Sequence, residues 1–389
     1  MCLSGLLFLS VLCLVVPPGP ALGQTNLRQQ GLALEQHRDF GSAEHAWRLL
    51  LSQDPKNLEA LAHLAMDEFQ MGRYQQAANA YRKAVALDPG ALPLQMNLGV
   101  SLFKASDFKQ AAPVFAGLLM QHPDDPRLTV LVGMSYYGAR EYARAVPYLR
   151  RAADSQPDNI AIRLPLANSC LWAKQFKCVL TVYKQILSLN GESAEADMLA
   201  GEALSAEENT AGAIKQFRAA VKANPNEPEV HFGLGYLLWT QRHYTEAQAQ
   251  FRAELANNPR DGKSLVYLGD VQMQLNHPAT ARNTLEHALL LDPTSELAYL
   301  DLGDIDAQAG HKQRAILEYR KAIALNPNDA TPYWKLGRLE AAMGERQAAK
   351  KEFARVATLH REAAQKLYRE MAGSSEARAA AGQKVASQK

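Results

Sequence analysis

The sequence predicts an all-α fold, an array of about ten stacked helix–turn–helix units, and three observations carry that prediction. Proline recurs at 34-residue intervals, at Pro55, Pro89, Pro123, Pro157, Pro225, Pro259, Pro293 and Pro327. When that proline is numbered position 32, position 8 never exceeds a methyl group: Gly31, Ala65, Gly99, Gly133, Ala167, Gly201, Gly235, Gly269, Gly303 and Gly337. Position 20 is alanine in nine of ten units, Val179 being the exception. Small residues at two fixed points let the helices of a hairpin approach closely, and a strict period makes each unit a copy of one structural element.

The N-terminal residues differ in character from the rest of the chain. Leu3 to Val16 is an apolar run without a charge, followed by Pro17-Pro18-Gly19-Pro20 and then Ala21-Leu22-Gly23. This pattern reads as a secretory signal peptide over residues 1–23, cleaved between Gly23 and Gln24, where Ala21 and Gly23 are small enough for signal peptidase. The n-region carries no Lys or Arg. The alternative is an uncleaved anchor, for which fourteen apolar residues are short. The expected location is secreted or periplasmic.

Ten units then start at Gln24, Leu58, Leu92, Pro126, Ile160, Ala194, Pro228, Gly262, Glu296 and Ala330. Position 24 is bulky, with Trp47, Tyr81, Phe115, Tyr183, Phe217, Phe251, Tyr319 and Phe353 placed to fill the space beside the small pair. Positions 20, 24 and 27 recur at amphipathic spacing on a second helix. The turn carries Gly or polar residues, and Asp-Pro or Asn-Pro ends the unit. Unit five is the least regular, with Arg163 at position 4, Pro165 in its first helix, Val179 at position 20 and Gly191 in place of the closing proline. Pro113 and Pro147, at position 22, read as tolerated first-turn prolines. Residues 362–372 continue as a helix capping the last unit. Residues 373–389, rich in Ala, Ser, Gly and charge, are expected to be disordered.

Small at 8, Ala at 20, aromatic at 24 and Pro at 32 on a 34-residue period resemble the tetratricopeptide repeat family over Gln24 to Arg361. The resemblance implies a right-handed α-solenoid whose first helices line a concave groove for proteins or peptides. Fold alone does not establish that function. Two specialisations of the family do not carry over. A carboxylate clamp resembles Lys at 5 with Asn at 9, but Asn168 stands alone with Leu164 in the lysine's place. A position-6 asparagine ladder has only Asn97.

Composition narrows the function further. With 47% hydrophobic residues the array has ample core material, and a net charge of +2 offers no broad field for nucleic acid. The ten histidines are scattered without metal-ligand spacing. Gly133-Met134-Ser135-Tyr136-Tyr137 starts like a nucleophile elbow but lacks the final glycine and falls in a helix. The expectation is a protein that is not an enzyme and uses no cofactor or metal.

Positions 5, 9 and 12 of the first helix are rotated away from the packing face at 4, 8 and 11. They give Met66 and Phe69 with Ala62, Met96, Val100 and Phe103, Met134 and Tyr137 with Val130, Asn168 and Leu171 beside Trp172, and Phe232, Tyr236 and Trp239. A Met- and aromatic-rich lining suits adaptable contacts with a peptide or helix. The competing expectation is burial of these side chains between neighbouring first helices, and the exposure of Phe103, Tyr137, Phe232, Tyr236 and Trp239 decides between the two. Asp270 and Asp304 at position 9 should make the end of the array acidic. The leading expectation is thus an exported scaffold that binds a protein or peptide of unspecified identity. The alternative is a structural part of an envelope assembly or polysaccharide-export machinery, contacting partners by its convex face or ends. Cys170 and Cys178, at positions 11 and 19, are open to two readings, a disulfide or two buried thiols.

Overall fold

The computed structural model describes residues 20–190 and 193–386, and among them the chain forms twenty α-helices and no strand. The apolar run before Pro20 and the expected closing position Gly191 lie outside the described residues. The described residues divide into two compact units, with the boundary after residue 191. The first holds α1 (Pro20–Gln36), α2 (Phe40–Gln53), α3 (Leu58–Gln70), α4 (Tyr74–Leu87), α5 (Leu92–Lys104), α6 (Phe108–Gln121), α7 (Pro126–Gly138), α8 (Tyr142–Ser155), α9 (Ile160–Trp172) and α10 (Phe176–Asn190). The second holds α11 (Ala194–Ala206), α12 (Thr210–Ala223), α13 (Val230–Thr240), α14 (Tyr244–Asn257), α15 (Gly262–Gln274), α16 (Pro278–Leu291), α17 (Glu296–Gln308), α18 (Lys312–Leu325), α19 (Ala330–Ala342) and α20 (Arg346–Ala386). Within each unit every helix packs on its neighbours in the chain, the mark of a solenoid of helical repeats.

Close approach inside each hairpin is more direct than a small residue facing a small residue. The position-24 side chain lies flat on the position-8 glycine. A Cβ at Gly99 would sit 2.5 Å from Phe115 Cε1, and one at Gly235 would sit 2.8 Å from Phe251 Cε1. Both rings are fully buried, so the glycine makes room for the largest fully buried side chain of the hairpin. Alanine at position 20 is fully buried alongside, as at Ala77, Ala111 and Ala213.

Every hairpin turns through one left-handed residue at position 15. This residue is Gly72, Gly310 or Gly344 in three repeats and a non-glycine in seven, for example Arg140 with φ 60° and Lys174 with φ 58°. The following N–H donates back to the position-11 carbonyl, as from Arg73 to Glu68 at 2.8 Å, which satisfies a helix-end acceptor. Short polar side chains cap the N-termini of most first helices. Asn57 accepts from Ala60 N–H, Asp261 from Ser264 and Ser295 from Ala298. At the corresponding place before α13 stands Glu227, too long to cap in that way. That helix starts late, behind Glu229 in a left-handed conformation at φ 62°.

Three expectations need correction. Pro113 and Pro147 are each the sixth residue of an unbroken helix, in its second turn and not its first, and Pro165 holds the same place in α9. Each forgoes one backbone hydrogen bond, and at Pro113 and Pro147 the site faces solvent, so water can serve the freed carbonyl. The stretch 362–372 is no separate cap, because α20 runs unbroken from repeat ten through residue 386 with Ala363 and Ala364 exposed. No proline interrupts it and its alanines favour helix, which also carries the helix through 373–386, where disorder was expected.

Candidate peptide-binding faces

In the first unit, positions 5, 9 and 12 form a half-buried stripe along α3, α5, α7 and α9. Met66, Phe69, Met96, Val100, Phe103, Met134, Tyr137, Asn168 and Leu171 are all intermediate in exposure, none fully buried. Trp172, at 64% exposed, stands out from the surface. The position-12 rings have a packing role that the register did not reveal. Phe69 meets Tyr74 edge-on at 5.1 Å, Phe103 meets Phe108 at 5.1 Å, and Tyr137 meets Tyr142 at 6.0 Å. Each pair seals the hairpin corner between positions 12 and 17, and the remaining edge of the ring is what a ligand could touch. Trp172 stacks one face on Tyr142 at 5.9 Å and leaves the rest free.

In repeats two to five, position 10 holds polar side chains in the interior. Ser101, Ser135 and Ser169 are fully buried, and in repeat two the place is taken by Asp67, also fully buried, with neither carboxylate oxygen hydrogen-bonded. Burial, reinforced by the charges of Glu35, Glu44 and Glu68, pushes its pKa up to about 7. Around it Glu35 accepts from Trp47 Nε1 at 2.8 Å and contacts His63 at 2.9 Å, while Arg48 reaches Glu44 at 2.6 Å and Glu68 at 3.1 Å. Cys170 and Cys178 are joined as a disulfide, with Cα atoms 5.9 Å apart, bridging the two helices of repeat five.

The second unit gathers five aromatic residues in one cluster. Tyr267 is contacted by Phe232 at 5.9 Å, Tyr236 at 5.3 Å, Trp239 at 5.0 Å and Phe251 at 5.9 Å. Trp239 also donates its indole N–H to Asp270, which fixes the ring in place. Phe232 and Trp239 are half-buried, and Tyr236, at 38% exposed, remains open to solvent. In front of Phe232 and Tyr236 lies a cleft of about 370 Å³, walled on its other side by Met198, Glu202 and Ser205. These three are positions 5, 9 and 12 of repeat six. The register that pointed to repeats two to five and seven applied equally here, and Tyr267 at position 6 carried no such signal.

The end of the array is less acidic in effect than its sequence suggests. Asp270 is buried and occupied by Trp239 and by Gln274 at 3.2 Å. Asp304 accepts from Tyr319 at 2.8 Å and pairs with Lys335. A second cleft of about 360 Å³ there is lined by Asp304, Trp334, Lys335 and Arg338, with the Arg338 guanidinium 4.6 Å from the Trp334 ring centroid. Among the described residues no group of three or more His, Cys, Asp or Glu is placed to hold a metal ion, and no helix is long and apolar enough to cross a membrane.

Tetratricopeptide repeat models match residues 28–91, 68–132, 180–228, 198–262, 232–276 and 303–344, together more than half the chain. The chain belongs to the tetratricopeptide repeat family, whose members are protein-interaction scaffolds. Among solved structures it is similar to MamA, at 22% identity over 42% of this chain and 96% of that one with a TM-score of 0.38. It is also similar to PilF of Pseudomonas aeruginosa, at 19% identity over 51% of this chain and 90% of that one with a TM-score of 0.45. A third is YrrB, described as a TPR protein with an unusual peptide-binding site, at 19% identity over 49% of this chain and 97% of that one with a TM-score of 0.38. No curated protein sequence matches it.

Proposed function

We propose that this protein is an exported, non-catalytic scaffold that captures a protein or peptide on the first-helix faces of its repeats. The observation that carries the reading is the exposure of the apolar stripe. Phe103, Tyr137, Phe232 and Trp239 stay half-buried and Tyr236 stays exposed. Apolar and aromatic side chains kept partly in water on the first helices of each unit are what a docking surface requires. Export is supported by the apolar run and small residues at the start of the chain, and by a disulfide of the kind that persists in oxidising compartments.

Trp172 and Tyr236 are the cleanest probes, because Trp239 is also tied to buried Asp270 and Tyr137 seals a hairpin corner. The double variant Trp172→Glu/Tyr236→Glu should lose the proteins retained by the mature wild type in a pull-down read by mass spectrometry, with unchanged helical circular dichroism. Identical retention by a folded variant would refute the groove reading.

A further inference from the structure

The cleft between repeats six and seven has a chemistry unlike the rest of the stripe. Its floor and walls are apolar, from Met198, Phe217 and Phe232, with the Tyr236 ring at one side. The two charged side chains that line it, Glu202 and Glu229, are both carboxylates. They are close enough that, after burial, the charge of Glu229 is the next cause holding the Glu202 pKa above the usual carboxylate range. Glu195 is raised in the same way by burial and by Glu227, so the wall formed by α11 and the approach to α13 has an excess of negative charge.

The backbone and a neighbouring lysine indicate what the cleft accepts. Glu229 is the one non-glycine among the described residues with positive φ outside the hairpin corners, so a strained backbone places this carboxylate at the cleft. The chain's own Lys263 already shows how a cation sits nearby. Its ammonium lies 3.7 Å from Glu229 and 5.8 Å from the centre of the Phe232 ring, and both Lys263 and Glu229 are well exposed. That exposed pair is weak and replaceable.

From this we infer that the cleft receives an arginine or lysine side chain of the bound peptide, its hydrocarbon stem on Met198, Phe217 and Phe232 and its charged head between Glu202 and Glu229 beside Tyr236. The inference rests on the proposed peptide-binding groove and assigns that groove a basic partner segment. A long basic side chain fits because it joins an apolar stem to a cationic head, and a guanidinium also stacks on aromatic faces. An aliphatic side chain of similar length would fill the apolar part and leave the Glu202 carboxylate without a cation. An acidic one would add a third.

The test is a positional-scanning library of fluorescein-labelled nonapeptides, read by anisotropy against the full mature chain. Wild type should select Arg or Lys at one position, and with arginine placed there in the best peptide, replacing it by its neutral isostere citrulline should weaken binding about tenfold or more, as loss of a charge-assisted contact does. In the variant Glu202→Gln/Glu229→Gln the preference should vanish, with citrulline and arginine peptides binding alike and the melting temperature unchanged. Binding without a basic preference, or a preference that survives in the Gln variant, would overturn the inference and leave the groove reading standing. Absence of any nonapeptide binding would also count against the inference, while the groove reading would still be decided by the Trp172→Glu/Tyr236→Glu retention experiment.

Discussion

Two helix-interior glycines of repeat three should respond to the same substitution with opposite sign. Gly117, in α6, has open space where a Cβ would go, whereas a Cβ on Gly99, in α5, would lie 2.5 Å, 2.8 Å and 3.0 Å from three atoms of the Phe115 ring. Replacing glycine by alanine inside a helix contributes about 1 kcal/mol from propensity alone, which is the whole effect expected for Gly117→Ala. At Gly99 that gain is set against overpacking a filled core, typically about 1–3 kcal/mol, because Phe115 must move by several tenths of an ångström among fully packed neighbours. The net result is a destabilisation of about 1 kcal/mol, so the two variants should differ by about 2 kcal/mol. Ala65 and Ala167 show that the array can house a methyl group at this position, so Gly99→Ala should still fold. Thermal melting followed at 222 nm should move up for Gly117→Ala and down for Gly99→Ala, by about 2–4 °C per kcal/mol for a unit of this size. If Gly99→Ala stabilises as much as Gly117→Ala, the ring on glycine is not what sets the helix spacing.

Asp67 should make the first unit's stability fall as pH rises. Its folded-state pKa of about 7 lies above the unfolded value, so its contribution is fully present below about pH 4 and is lost as pH climbs through 7. Asp67→Asn should remove up to about 3 kcal/mol of pH-dependent loss between pH 5 and pH 8, and equal slopes for variant and wild type in urea titrations at those pH values would contradict this. The Cys170–Cys178 bridge closes a short loop, eight residues apart in sequence, which by loop entropy is worth roughly 2–3 kcal/mol. Cys178→Ser should therefore lower the melting temperature to that of the reduced wild type, and insensitivity of the wild type to dithiothreitol would show that the bond contributes nothing.

Periodic constraints were readable from the sequence because each recurs in at least eight of the ten repeats. The turn, the small position 8 and the closing proline all answer to local sterics, and the helices begin and end where those residues stand. What could not be read was set by neighbours across the hairpin. Position 12 was assigned to a ligand face by angle alone, yet Phe69, Phe103 and Tyr137 lean on the ring at position 17. Asp270 and Asp304 read as exposed acidity from the register alone, yet Trp239 and Lys335 stand beside them. Repeat six was legible at Met198, Glu202 and Ser205, but its mixture of apolar and acidic residues became meaningful only once Phe232 and Tyr236 of the next repeat faced it. Helix α20 shows the converse limit, since composition that reads as disorder in isolation continues a helix already nucleated by the last repeat.

The left-handed corner bears on how this sequence can change over time. Seven of its ten occupants are Arg, Lys, Glu, Asn or Ser, all pointing into solvent, and each holds a conformation that disfavours L-residues by about 1–2 kcal/mol. The corner therefore acts as a reserve. Glycine could be introduced at any of these sites to recover part of that strain, offsetting a destabilising change elsewhere that alters what the repeats bind. Charge can also be exchanged at the corners without touching a helix interface. A chain built this way can drift in its surface and ligand preference while its period stays fixed.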